Sequence, residues 1–228
     1  MHGVTENSRF TRVVCTLIHL SFLVIAGWIY FGNGLNQLHG LLGYENSSKP
    51  DIARQVVLFS FGVVLFVRLS ITLFYLLKRK FDWPELSGVI FAVFLYQILF
   101  AVLGAGESEA LNYFDFLGIF LFILGSIFNT LSEFQRKWFK DKPENKGRLY
   151  NGGLFAYARH INYFGDSLWV TGWAMLTRNI WSYTVPAFIT ILFLFVFIPS
   201  LTKYLETRYS DQFEQYRQQT KTFIPFIY

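Results

Sequence analysis

Apolar stretches dominate the pattern of the chain, and short polar or charged segments separate them. One apolar piece, Ser167–Leu176, is too short to cross a bilayer unless it borrows turns from Ile161–Asp166 before it. The stretches long enough to cross as helices are Val13–Phe31, Gln55–Leu77, Leu86–Leu103, Leu111–Asn129 and Trp181–Leu201. The pattern therefore predicts an all-α, multi-pass integral membrane bundle of about six to seven transmembrane helices.

Composition agrees with a membrane protein and excludes several kinds of site. The chain is 53% hydrophobic and has 27 Phe residues, more than a soluble core of this size could bury. A single Cys, Cys15, excludes an internal disulfide, and His160 is the one His outside the first quarter of the chain, so we predict no metal site. The sequence lacks a Gly-x-Ser-x-Gly elbow and a Gly-x-Gly-x-x-Gly turn. The net charge of +5 suits membrane lipids or a phosphorylated ligand better than nucleic acid.

The distribution of charge predicts the orientation of the helices. The basic clusters Lys78–Lys80 and Arg136-Lys137 fall on the same side as the basic N-terminal segment, and the acidic hairpin Gly106–Glu109 falls on the other. The positive-inside rule then places both termini in the cytoplasm. We expect the endoplasmic reticulum membrane if the protein is eukaryotic and the inner membrane if it is bacterial. The triplet Asn46-Ser47-Ser48 would be a glycosylation site on a lumenal loop.

One long polar segment, Asn145–Asp166, interrupts the apolar chain. It is rich in Gly, Asn, Arg and aromatic residues and contains His160. Polar backbone next to a bilayer is tolerated only where protein buries it or where it lines a wet cavity. Lys and Arg suit phosphates, Asn suits an amide, and aromatic side chains suit a flat ring. We therefore predict that this segment wraps an anionic cofactor at the membrane face.

Two further patterns carry polar side chains into or near the apolar spans. Asn129, Glu133, Lys137 and Lys140 recur at helical spacing and so share one face. From spacing alone, that face is more typical of a salt-bridged helix end than of a site. Arg68 lies inside an apolar span, where an arginine is costly and is a candidate for function, although it could also snorkel to the interface.

The polar segment and the end of the chain resemble a known family. The runs Lys142-Pro143-Glu144-Asn145-Lys146-Gly147 and Gly153-Leu154-Phe155-x-Tyr157-x-Arg159-His160-x-Asn162-Tyr163-Phe164-Gly165-Asp166, together with Glu214-x-Tyr216 and Phe223-Ile224-Pro225, are similar to the C-terminal half of the steroid 5-alpha-reductase superfamily. The resemblance implies that residues 107–228 hold NADPH in a cytoplasm-facing cavity and that residues 1–106 form the substrate side. It implies reduction of a carbon–carbon double bond conjugated to a carbonyl in a lipophilic small molecule.

The resemblance also assigns cofactor-binding roles by position. Asn162 would hydrogen-bond the nicotinamide amide, and Asn129 and Glu133 would contact the adenine-ribose side. Asp166 and Tyr204 would complete the pocket, while the basic side chains near the end of the fourth span would face the phosphates. The full set of implied cofactor-binding residues is Arg68, Asn129, Glu133, Lys137, Lys140, Arg148, Arg159, His160, Asn162, Tyr163, Asp166 and Tyr204.

The chain departs from the family pattern where the reductases carry their proton donor. Leu65 stands one turn before Arg68, where the reductases have a Tyr, and the apolar run Val196–Ser200 replaces their basic and His residues. Ile161 and Asp166 replace the usual Pro and Glu. The acid that would protonate the substrate is therefore unidentified, and the candidates are Tyr75, Tyr96 and Tyr113.

Two other functions fit the same residues. The Arg-His-x-x-Tyr-x-Gly core also resembles membrane methyltransferases of the isoprenylcysteine and phospholipid type, which use S-adenosylmethionine. Under that hypothesis Glu206 would lie near the methyl acceptor. The residues that would bind S-adenosylmethionine are Arg159, His160, Tyr163 and Gly165. We favour the reductase because Asn162 suits a carboxamide and the basic run Lys137–Arg148 suits phosphates. A non-catalytic membrane scaffold is the third hypothesis, suggested by the missing Tyr.

Overall fold

The computed structural model describes residues 3–41 and 49–228, and the described chain is helical. The only β-pairing among these residues is an isolated parallel bridge between Ala158 and Lys221. The predicted glycosylation triplet lies outside the described residues. The helices are α1 (Gly3–Phe31), α2 (Gly34–Leu41), α3 (Ile52–Leu76), α4 (Trp83–Gly104), α5 (Tyr113–Asp141), α6 (Ile161–Leu176) and α7 (Ile180–Gln219).

Five of the described helices are long and apolar enough to cross a membrane, by length and composition: α1 from Ser8, α3, α4, α5 and α7. The all-α, multi-pass membrane fold is thus confirmed. The predicted short span begins at Ile161, as expected, but α6 has 16 residues, fewer than the roughly 20 that a bilayer requires. Helix α7 continues to Gln219, with a sharp break at Ser210, where φ is 40°.

The chain forms two compact units. The first unit contains the described residues up to Ile119 together with Trp173–Tyr183, and the second contains Phe120–Gly172 with Thr184–Tyr228. Apart from Arg68, every predicted cofactor-binding residue belongs to the second unit. The functional division into a substrate side, residues 1–106, and a cofactor side, residues 107–228, stays a prediction.

A buried ion cluster holds one end of the first unit together. Arg54 and Asp115 are fully buried, with 2.6 Å between Arg54 NH1 and Asp115 Oδ1. Arg178 donates to the other carboxylate oxygen at 2.8 Å. Arg54 also donates to the backbone carbonyls of Leu176, at 2.9 Å, and Glu109, at 3.1 Å. Buried charges are tolerated only when they are paired and fully hydrogen-bonded, and this cluster meets that requirement.

Two glycines let α5 and α6 touch backbone to backbone in the second unit. A Cβ atom added at Gly125 would lie 2.4 Å from the backbone nitrogen of Trp169 and 2.5 Å from the carbonyl oxygen of Gly165. A Cβ at Gly165 would lie 2.6 Å from the backbone nitrogen of Asn129. Small residues permit such close approach between membrane helices. The contact places Asn129 and Asn162, each about one turn away, on facing helices.

The glycine contact predicts that alanine destabilises the protein at Gly125 but not at a glycine outside the contact. Gly125→Ala forces the two backbones apart and should lower the free energy of unfolding by about 1–3 kcal/mol. Gly88→Ala is the matched control, because nothing lies within 4 Å of an added Cβ at Gly88 in α4 and alanine has the higher helix propensity. Equilibrium unfolding in detergent micelles measures both. Equal effects of the two substitutions would contradict the close contact.

The ion cluster predicts a second difference. Asp115→Asn leaves two arginines without their carboxylate and should cost about 3–5 kcal/mol. Glu85→Gln removes the partner of Arg79, whose side chain is 64% exposed, and should cost at most about 1 kcal/mol. The same unfolding measurement compares them. A small effect of Asp115→Asn would show that the cluster contributes little to stability.

Candidate functional site

Polar side chains of α5 and α6 form a hydrogen-bonded chain beside the glycine contact. Asn129 donates to the backbone carbonyl of Asn162 at 3.4 Å, and the side-chain amide of Asn162 donates to Glu133 Oε1 at 3.0 Å. The other oxygen of Glu133 is paired with Arg136. The structure thus brings together three residues that the sequence predicts for the site. All four side chains are half-buried.

The hydrogen-bonded row of side chains leaves one acceptor unused and adds one residue, Arg136, to the site. The side-chain oxygen of Asn162 accepts no hydrogen bond from any described residue, since its amide nitrogen makes the bond to Glu133. That oxygen can accept from the amide group of a ligand. Arg136 was not among the predicted site residues. Its position three residues after Glu133 is the sequence signal that could have identified it.

The basic residues that follow are partly engaged by the protein itself. Lys137 pairs with Asp141 one turn later. Lys140 donates to the backbone carbonyl of Arg148 and, at 2.9 Å, to the hydroxyl of Tyr209. Lys140 thereby ties the polar segment to α7, while the side chain of Arg148 is exposed. The role of Lys137, Lys140 and Arg148 as phosphate ligands stays a prediction.

The polar segment packs against the helices of its own unit. Gly153 has φ of 55°, and an added Cβ there would lie 2.3 Å from Gln135 Oε1. That oxygen accepts from the backbone nitrogen of Leu154 at 2.9 Å. Tyr216 donates to the carbonyl of Phe155 at 2.6 Å. The apolar core beneath the segment consists of Phe155, Ala158, Ile161, Phe213 and Tyr216.

Arg159 clamps the end of the chain to the polar segment. Its guanidinium donates to the backbone carbonyls of Arg217, at 3.0 Å, and Thr220 and to the hydroxyl of Thr222 at 2.8 Å. Its backbone nitrogen donates to the carbonyl of Lys221 at 2.8 Å. Burial lowers the pKa of the Arg159 guanidinium and is the largest cause of its shift. These contacts are structural, and a contact of Arg159 with a cofactor stays a prediction.

His160 is buried in a stack of aromatic rings with its polar atoms unsatisfied. It is 1% exposed, and neither ring nitrogen has a hydrogen-bond partner among the described residues. The imidazole lies parallel to Tyr163, with ring centroids 5.8 Å apart. Tyr163 in turn stacks on Phe193 of α7 at 4.6 Å. Each unsatisfied buried polar group costs about 1–3 kcal/mol, so the two ring nitrogens are positions where a polar ligand group would be stabilising.

The electrostatic surroundings keep this imidazole neutral. Burial, and after it the positive charges of Arg159 and Arg136, lower the pKa of His160 to about 4. At neutral pH the ring therefore offers one N–H donor and one acceptor. Because two arginines lie nearby, the surroundings favour an anionic or neutral ligand group over a cation.

The remaining predicted residues are placed by other contacts. Asp166 accepts from the indole nitrogen of Trp169 on the same helix at 2.8 Å. Tyr204 is 51% exposed and accepts from Arg208 at 2.7 Å. Arg68 lies in the second half of α3 in the first unit and is half-buried. Their roles in cofactor binding stay predictions.

The lowered pKa of His160 predicts a pH dependence of stability. The unfolded chain binds a proton at this His near pH 6.5, and the folded chain does so only near pH 4, so stability falls as the pH drops through that window. Between pH 6.5 and pH 5 the loss from His160 should be about 1.5 kcal/mol. His160→Phe keeps an aromatic ring in the stack and should abolish this part of the loss. Unfolding curves of both proteins at several pH values measure it, and parallel pH profiles would contradict a lowered pKa.

A comparison with protein families adds to the geometry. A family model described as a protein of unknown function, DUF1295, matches residues 86–222. The match covers more than half of the chain. It includes α5, α6, α7 and the whole polar segment.

Relatives of two kinds match the chain at similar identity. The human protein 3-oxo-5-alpha-steroid 4-dehydrogenase 2 is 33% identical over 112 residues, 49% of this chain and 42% of its own length. "Probable O-methyltransferase ustE" of Ustilaginoidea virens is 33% identical over 107 residues, 46% of this chain and 38% of its own. Protein-S-isoprenylcysteine O-methyltransferase of Schizosaccharomyces pombe is 33% identical over 79 residues, 35% and 34% of the two chains. The chain thus spans about two fifths or less of the length of these relatives.

Proposed function

We propose that this chain, which belongs to the DUF1295 family of the steroid 5-alpha-reductase superfamily, is an NADPH-dependent reductase embedded in the membrane. Its substrate would be a lipophilic molecule with a carbon–carbon double bond conjugated to a carbonyl. The observation that carries the proposal is the hydrogen-bonded row of Asn129, Asn162 and Glu133, in which the side-chain oxygen of Asn162 has no partner among the described residues.

The residues of the site fit the parts of a phosphorylated dinucleotide. The open oxygen of Asn162 would accept from the carboxamide of the nicotinamide, and Glu133 holds the Asn162 side chain in the orientation that makes this possible. Lys137, Lys140 and Arg148 would supply positive charge for the phosphates. When bound, the nicotinamide would supply a hydride.

Other residues would position the ligand and keep water away. The parallel rings of His160, Tyr163 and Phe193 form a largely apolar stack, whose polar groups are the phenol of Tyr163 and the neutral imidazole of His160. The two ring nitrogens of His160 would then be satisfied by hydroxyl or phosphate groups of the cofactor. Arg159 would act mainly by fixing the backbone that carries His160, since both of its terminal nitrogens bind the end of the chain.

The membrane fold and the proposed use of NADPH also predict the cellular location of the protein. The protein is an integral membrane protein, and we infer that both termini face the cytoplasm, where NADPH is available. The membrane would be the endoplasmic reticulum in a eukaryote and the inner membrane in a bacterium. A lipophilic substrate would reach the protein from the surrounding lipid.

A methyltransferase is the second candidate, because Arg159, His160 and Tyr163 also fit the motif of S-adenosylmethionine-dependent membrane enzymes. The names of two relatives favour this alternative. The reductase is preferred because the amide of Asn162 is held by Glu133 with its oxygen open, an arrangement suited to a carboxamide.

Cofactor titration of the detergent-solubilised protein tests the proposal. We expect saturable binding of NADPH, followed by its fluorescence, and no binding of S-adenosylmethionine. Asn162→Leu removes both the acceptor and the bond to Glu133 and should weaken NADPH binding at least about tenfold. Gln218→Ala removes an exposed amide of the same unit and should leave binding unchanged.

Each alternative gives a different result in this experiment. Binding of S-adenosylmethionine without NADPH would favour the methyltransferase. Binding of neither compound would favour the non-catalytic scaffold. Unfolding curves of Asn162→Leu, measured in parallel, separate a loss of binding from a loss of folding.

A further inference from the structure

Three membrane helices of the first unit meet at a polar point that no role described above includes. Gln97 of α4 donates to the backbone carbonyl of Gly62 in α3 at 3.0 Å, and the same nitrogen lies 3.0 Å from Nε2 of His19 in α1. His19 is 2% exposed and Gln97 is 1% exposed. The rest of these three spans is mostly apolar.

The hydrogen atoms of this cluster can be assigned. A carbonyl oxygen only accepts, and an amide nitrogen only donates, so Gln97 Nε2 gives one proton to Gly62 and the other to His19. His19 Nε2 is therefore the acceptor, and the imidazole carries its own proton on Nδ1. Among the described residues, Gln97 is the only hydrogen-bond partner of this ring, so the Nδ1–H donor remains unused.

The local backbone is arranged around the same point. An added Cβ at Gly62 would lie 2.5 Å from Gln97 Oε1, so a larger residue there would displace the amide from its present position. Gln97 lies in a π-helical turn, Leu95–Leu99, and such turns occur often at functional sites. His19 lies near the middle of the span Ser8–Phe31, where an ionisable side chain is expensive and marks function by default.

Helix packing alone does not account for His19. The bond from Gln97 to Gly62 already joins α3 and α4 without it. A polar contact between membrane helices contributes modestly, about 0.6 kcal/mol on average, while a donor left unpaired in apolar surroundings is destabilising. The cluster therefore has the properties of a ligand contact, with the donor held in place by Gln97.

We propose that the Nδ1–H group of His19 donates a hydrogen bond to an oxygen atom of a lipophilic ligand bound among α1, α3 and α4. The ligand is an apolar molecule with at least one accepting oxygen, because the surrounding side chains are apolar and include Phe66 against the imidazole. The identification of that oxygen as the enone carbonyl rests on the proposed reductase function.

The experiment compares two probes that differ only in the oxygen. Saturable binding of tritiated cholest-4-en-3-one and of its hydrocarbon analogue cholest-4-ene is measured in nanodiscs, with the conjugated ketone pseudoionone as a second, linear competitor. Wild-type protein should prefer the ketone about tenfold, the value of one well-placed hydrogen bond. His19→Phe should bind both sterols equally, and His19→Gln, which retains a donor, should recover part of the preference.

A matched control separates this role from the loss of any buried polar group. Gln55 is also buried and donates to the carbonyl of Ala105 at 2.9 Å, so Gln55→Leu should retain the ketone preference. The inference is overturned if wild-type protein binds neither ketone, shows no preference, or keeps its preference in His19→Phe. Loss of preference in Gln55→Leu as well would also overturn it.

The outcome is distinguishable from the fate of the reductase proposal. NADPH binding is measured on the same samples and should be unchanged in His19→Phe, which also shows that the variant is folded. A His19-dependent ketone preference without NADPH binding would contradict the reductase and leave the ligand contact standing. NADPH binding without a His19-dependent preference would support the reductase and overturn the ligand contact at His19.

Discussion

The direct backbone contact between Gly125 and Gly165 is the constraint on which the geometry of the candidate site depends. No side chain can separate α5 and α6 at that point, so the polar residues one turn away must face each other. The Asn162 side chain then reaches Glu133, and Asn129 reaches the backbone of Asn162. In a membrane protein, where lipid offers no polar partners, such a contact fixes both the position and the hydrogen-bonding of the site.

The polar segment must also find partners for its backbone hydrogen bonds within the protein, because lipid offers none. Its backbone forms hydrogen bonds with Gln135 of α5, with Tyr216 of α7 and with the end of the chain. Arg159 and Lys140 contribute their charged groups to backbone carbonyls as well as to the local potential. A cation that holds the loop also makes its surroundings favourable for an anion, so a structural role is compatible with the proposed binding role of the same side chain.

The sequence predicted the helices and part of the site for identifiable reasons. Hydropathy predicts the spans, because the stability of each segment in the bilayer depends mainly on its own apolar residues. The grouping of Asn129, Glu133 and Asn162 followed from helical spacing together with the family resemblance. The ion cluster of Arg54 and Asp115, the glycine contact and the pair of His19 and Gln97 could not be predicted, because each depends on which faces of distant helices meet.

Two histidines illustrate why burial alone does not reveal function. His160 is neutral because it is buried near arginines, and both of its ring nitrogens are unsatisfied. His19 has one ring nitrogen satisfied by Gln97, which leaves a donor on the other. In an apolar environment such open groups are destabilising unless a ligand completes them. The two histidines belong to separate compact units, and the partners proposed for their unsatisfied atoms differ: a polar cofactor at His160 and a single oxygen of an apolar molecule at His19.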